Sequence, residues 1–246
     1  MTLLYPNWRA PKNVHACSTL RQGGISIAPY NSFNLGMHVG DDAIAVAQNR
    51  DLLIRKAALP RSPIWLEQVH KTRVINLDYH LPTEPVQADG SYTTKSGQVC
   101  VVMTADCLPI LFCSQAGDEV AVAHAGWRGL CHGIIENTVH HFHAAPQQIQ
   151  VWLGPAIGPS YFEVGKEVKK QFEKRDPNAA QAFQLINNAQ QKYLADIYLL
   201  AKQRLNTLGI TQIFGGDRCT VSEPDSFFSY RRDHITGRMA TMIWLE

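Results

Sequence analysis

Apolar positions fall into two kinds of pattern along this chain. Short unbroken runs, VCVVM from Val99, LPILFC from Leu108 and IQVWL from Ile149, suit strands buried on both faces. The stretch from Val99 to Leu130 reads as strand, sharp turn, strand, hairpin through AGDE, strand, and a glycine-flanked entry into a helix. Further strands are expected at Val14–Thr19, at Ile64–Val69 with 74–77 as hairpin or continuation partner, at 211–214 and at Met239–Leu245. Helical spacing marks four other segments. One is capped by Asp41-Asp42 and stops at Pro60. A second runs through Leu130, Ile134, Ile135, Thr138, Val139 and Phe142 to Pro146. A third, charged and exposed, spans Val164 to Arg175, and the fourth runs from Leu194 to Leu208 with Gly209 at its C′ position. Residues 31–40, 82–88 and 154–159 read as loops. Strands and helices alternate irregularly, which predicts an α/β (α+β) fold of layered mixed sheets flanked by helices, as one domain over 1–246.

Composition narrows the function classes. The 246 residues are 45% hydrophobic and 18% charged, enough for a sizeable core. A net charge of +2 gives no electrostatic case for nucleic acid or an anionic membrane surface. No apolar run reaches membrane-spanning length, and Pro6 and Trp8 interrupt the place of a signal peptide's apolar core. The six cysteines read as reduced thiols, so the expected compartment is the cytoplasm.

Candidate chemistry gathers at strand ends. His70, Cys107 and His124 each close a strand-like run, where sites collect in α/β proteins. Two imidazoles and a thiolate suit zinc and copper, and three protein ligands with an open position is the catalytic pattern. The same atoms allow a metal-free reading, with Cys107 a nucleophile activated by His124 and Asp106 or another carboxylate orienting the base. Arg21, Arg128 and Arg231 are candidates for holding a phosphate or carboxylate, although each has a salt-bridge alternative. Gly23-Gly24 fits either a tight hairpin or an anion-holding loop.

These segments together resemble the YfiH-type, laccase-domain family. The matching stretches include Ser18–Gly24, Asn34-Leu35-Gly36, Gln68-Val69-His70, Ala88-Asp89-Gly90, Thr104-Ala105-Asp106-Cys107, the run His124–Gly129 (HAGWRG), Gly154–Gly158 and Phe228 through Arg238. The first departs slightly, with Leu20 where the family usually carries adjacent Thr-Arg. The resemblance implies a zinc site made by His70, Cys107 and His124. It also implies phosphorolysis of adenosine, inosine and S-methyl-5′-thioadenosine, with deamination of adenosine as a side activity. The partners are then a purine nucleoside and phosphate, with no nucleic acid and no membrane. Two alternatives travel with the family: a copper-dependent polyphenol oxidase, and a cysteine hydrolase that edits peptidoglycan precursors. A multicopper laccase needs several His-x-His pairs and a His-Cys-His motif, whereas this chain has one His-x-His, His141-Phe142-His143, and no His-Cys-His. The His-x-Glu and Pro-Cys-x-x-Cys pattern of nucleobase deaminases is also missing. Phosphorolysis at a zinc site is therefore the leading expectation.

Overall fold

The computed structural model describes residues 3–79 and 84–246. Its strands form two stacked sheets in the centre, with helices outside both. The four-stranded sheet has the order 3–4, 14–19, 239–245, 99–104, all antiparallel. The six-stranded sheet is mixed, in the order 212–215, 149–153, 108–114, 120–125, 90–93, 74–76, with parallel pairs at both ends. Val14, Cys100, Val102, Ile243 and Leu245 of the first sheet meet Leu111, Cys113, Val122 and Trp152 of the second. On the far side of the four-stranded sheet, the Ala43–Lys56 helix lays Leu53 against Val99, Val101 and Met242. On the far side of the six-stranded sheet, helices at 127–139, 166–175 and 197–207 cover Ile110, Ala123 and Val151. Both faces of the central strands are thus covered, which is why their sequences are unbroken apolar runs rather than alternating ones. Burying each Leu or Ile contributes about 2 kcal/mol.

Several expected elements have different limits. Val99–Thr104 and Leu108–Ser114 are not a hairpin, because they belong to different sheets and the chain crosses between layers at residues 105–107. The expected 64–69 strand shrinks to Leu66–Glu67 with a lone bridge from Ile64 to Cys100, and its partner is Val86–Gln87. Val74–Asn76 pairs instead with the Gly90–Thr93 strand. Of the 82–88 loop, residues 82 and 83 lie outside the described residues. The helix expected through Phe142 is two, Trp127–His132 and Ile134–Val139, broken where Gly133 takes a φ of 106°. Leu194 lies in a strand, Lys192–Ala195, that joins Glu163–Gly165 and Phe183–Asn187 in a small third sheet. No helix among the described residues is long and apolar enough to cross a membrane.

Glu119 fixes the strand that carries His124. Its buried carboxylate accepts from Tyr92 Oη at 2.6 Å and from the backbone N–H groups of His143 and Ala144 at 2.7 and 2.8 Å. Burial alone would raise this carboxyl, but the Tyr92 and backbone hydrogen bonds outweigh it and hold it below its ordinary value. A depressed folded-state pKa means stability that is present above the unfolded value and lost as pH falls through the folded one. Glu119→Gln should lower stability near neutral pH by about 1–3 kcal/mol. In urea titrations across acid pH, the gap to wild type should narrow as the pH drops below about 4. A constant gap would show that Glu119 acts by shape alone.

Candidate metal centre

His70, Cys107 and His124 converge from three segments. His124 is the penultimate residue of the Val120–Ala125 strand, Cys107 sits on the crossing between sheets, and His70 follows the short 66–67 strand in a left-handed conformation with φ 58°. One donor atom from each lies within 4.8 Å of the other two. Cys107 Sγ is 3.7 Å from His70 Nε2. A tetrahedral zinc bound at ordinary Zn–S and Zn–N lengths sets these two ligands about 3.6 Å apart. The two imidazoles stand edge to face, 4.7 Å between centroids. Gly126 keeps the space beside His70 and Cys107 clear, since a Cβ there would come within 2.9 Å of His70 Cδ2 and 3.1 Å of Cys107 Sγ. The donor set and its spacing fit a zinc or copper ion.

Asp89 organises the cluster. It is completely buried just before the 90–93 strand, and its Oδ1 accepts from His124 Nδ1 at 2.8 Å and from the His70 N–H at 2.9 Å. Its Oδ2 accepts from the N–H groups of Lys71 and Val69 at 2.8 and 3.3 Å. Occupying Nδ1 leaves His124 Nε2 for the cluster, the carboxylate–histidine arrangement that orients metal ligands. Burial alone would raise the Asp89 carboxyl, yet the bond to His124 and the N–H groups of Lys71 and His70 keep it low. Cys107 is likewise pushed up by burial, but the charge and hydrogen bond of His124, with His70, bring it down to about 6. His124 is lowered by burial and raised more strongly by Cys107 and Asp89, to about 9. Each of the two thus shifts the other toward its charged form.

Asp106 does not orient the imidazole. It is buried with φ 98°, and its carboxylate accepts from Thr220 Oγ1 at 2.5 Å and from the Arg231 N–H at 2.7 Å. It ties the Cys107 crossing to the C-terminal loops, and the carboxylate that meets the His124 imidazole is Asp89.

The cluster opens into a cavity of about 400 Å³, whose walls include His38, Gln68, Met103, Tyr230 and Arg238. None of the three expected arginines lines it. Arg21 spends its guanidinium on the carbonyls of Asn31 and Pro224, and Arg231 on those of Tyr161 and Glu163. Arg128 is exposed and stacks on its neighbour Trp127, 4.5 Å from the ring. The cation in the cavity is Arg238. Its Nη1 bonds the carbonyls of Thr236 and Gly237, while Nε and Nη2 have no partner among the described residues. Its motif, Thr236-Gly237-Arg238, was visible in the sequence, but nothing in its spacing separated it from the other basic residues. Burial lowers His38, and the charges of Arg238 and Arg50 lower it further. Gln68 is tied to the neighbouring strand, its amide bonding the Met103 N–H and carbonyl at 2.7 and 2.8 Å. The Gly23-Gly24 loop holds no anion site: Ser32 Oγ takes both N–H groups and Asn49 Oδ1 takes that of Ile25.

Residues 15–246 match the family model described as multi-copper polyphenol oxidoreductase laccase. The chain is 55% identical over the full length of both proteins to a protein of Haemophilus influenzae named purine nucleoside phosphorylase. It is 56% identical to the Escherichia coli purine nucleoside phosphorylase YfiH, over 99% of this chain and 98% of that one. A crystal structure of a Neisseria meningitidis protein superposes with a TM-score of 0.95 at 45% identity, each chain fully covered. YlmD from Geobacillus stearothermophilus superposes at 0.87 and 31% identity, over 96% of this chain and 93% of that one.

Proposed function

We propose that this chain, which belongs to the laccase-type family of multi-copper polyphenol oxidoreductases that includes YfiH, is a purine nucleoside phosphorylase working with a zinc ion held by His70, Cys107 and His124. The observation that carries this reading is the cavity that joins the three-ligand cluster to Arg238, a guanidinium whose Nε and Nη2 have no partner among the described residues. Relatives over half identical carry the phosphorylase name. In phosphorolysis the C1′–N9 bond of the nucleoside breaks, a phosphate oxygen bonds C1′, and the base leaves with a proton. Arg238 holds the phosphate by charge-assisted hydrogen bonds. Asp89 keeps His124 in one tautomer, and Gln68 anchors the His70 segment to the four-stranded sheet through Met103. A zinc ion in the cluster would supply Lewis acidity toward the developing charge. Adenosine, inosine and S-methyl-5′-thioadenosine are the proposed substrates, with deamination of adenosine as a side activity. The six cysteines are all free thiols, which supports a reducing compartment such as the cytoplasm.

One observation favours a second reading, Cys107 as the nucleophile of a hydrolase: its Sγ lies 3.7 Å from His70 Nε2 in the wall of the cavity that His124 also lines. Metal removal separates the two. Protein supplied with inosine and phosphate should release hypoxanthine and ribose 1-phosphate, lose this activity on exhaustive chelation and recover it with one equivalent of zinc. Turnover that survives chelation but not thiol alkylation would replace the metal reading with the nucleophile.

A further inference from the structure

One wall of the cavity is not explained by the metal cluster or by phosphate binding. Tyr230 stands at its mouth, 56% exposed, and its hydroxyl makes no hydrogen bond among the described residues. Yet the ring is not on a loose segment. It opens the short Tyr230–Asp233 helix, which Ser229 caps by accepting from the Arg232 N–H at 3.2 Å. The same helix is tied to the crossing beside Cys107 by the bond from the Arg231 N–H to Asp106. The Arg231 fork on Tyr161 and Glu163, and Arg232 on Thr220 and Val221, lock its other sides. His234 meets the ring edge to face at 6.2 Å, and the Arg238 guanidinium lies 6.0 Å from its centroid. Four residues of helix thus carry an unusual density of anchors to hold one aromatic side chain in the open.

The other walls offer a flat heterocycle little. The imidazoles of His70 and His124 belong to the ligand cluster, His38 lines the cavity with Arg238, and Gln68 is a non-aromatic amide held on Met103. Tyr230 is the one extended aromatic ring in the wall of the cavity that the cluster shares, more than half exposed, with Arg238 and His234 as its ring neighbours. Aromatic side chains bind nucleobases by stacking without demanding a particular hydrogen-bond pattern. We propose that Tyr230 is the platform on which the purine base stacks. This rests on the phosphorolysis reading for the reaction, though not for the binding itself.

The test combines kinetics with calorimetry on wild type, Tyr230→Ala and Tyr230→Phe, all loaded with zinc. In the synthetic direction, Tyr230→Ala should raise KM for hypoxanthine about 10-fold or more while leaving that for ribose 1-phosphate within about twofold. Tyr230→Phe, which keeps the ring, should recover most of the loss. Metal content should be the same in all three. Equal weakening toward both substrates, or none toward hypoxanthine, overturns the proposal. Calorimetric titration with hypoxanthine keeps the two readings apart. Wild-type binding that Tyr230→Ala abolishes, in a protein that turns over no nucleoside, would sustain the platform and refute the phosphorylase. Unchanged binding in Tyr230→Ala would refute the platform whatever the enzyme does.

Discussion

His124→Ala should leave a folded protein that holds no stoichiometric zinc and phosphorolyses no nucleoside above background. The imidazole is one of three donors that the fold brings together, and removing it leaves two on loops. The loss in metal affinity should exceed by a wide margin the roughly 10- to 100-fold that follows loss of an outer-shell partner. The fold should survive, because Asp89 keeps its hydrogen bonds from Val69, His70 and Lys71 when the imidazole is gone. A stability loss of about 2 kcal/mol is expected from the vacated volume and the lost bond. Metal analysis and a urea titration on one preparation check both halves. Full zinc occupancy in His124→Ala would remove this residue from the ligand set.

Asp89→Asn should do nearly as much damage with a change of one atom. The carboxylate accepts four hydrogen bonds with two oxygens, and every partner is a donor. An amide offers one oxygen, so its NH₂ must face either the Val69 and Lys71 N–H groups or those of His70 and His124. Donor then opposes donor in a buried setting, at a cost of about 3 kcal/mol in stability. His124 also loses the partner that fixes its tautomer, so zinc affinity should fall about 10- to 100-fold. Competition with a chromophoric chelator measures this separately from unfolding. Lost stability with undiminished zinc affinity would confine Asp89 to a structural role.

The sequence made the central strands legible for a physical reason. Val99–Thr104, Ile149–Leu153 and Met239–Leu245 are sandwiched between layers, so both faces are apolar and the run has no competing interpretation. It was silent on which strands share a sheet. The turn at 105–107 looks local, but pairing of Val99 to Thr104 with residues 239–244 takes that strand into the other layer. The apolar spacing around Gly133 continues unbroken, and only its left-handed backbone shows that two helices meet there. The grouping of His70, Cys107 and His124 was readable because thiol and imidazole at strand ends are rare and chemically pointed. Asp89 was not, since Asp-Gly before a strand also reads as a turn. Its importance lies in four donors that approach from segments 18 to 35 residues away. The arginines show the same limit. Arg21, Arg231 and Arg238 each have a glycine or an aromatic residue within two positions, and what separates them is which backbone carbonyls each guanidinium reaches.

The crossing at residues 105–107 also has a consequence for the newly made chain. The strand that leads into it finds its antiparallel partner only in residues 239–245, which leave the ribosome well over a hundred residues later. Until then the Asp106 anchor waits for Thr220 and Arg231. Pairing of Leu108–Ser114 with Val120–Ala125 can already set Cys107 beside His124. A partly synthesised chain can therefore bring the three donors near one another, while the crossing that carries the thiol stays unanchored on its Asp106 side until the C-terminal loops and strand are made.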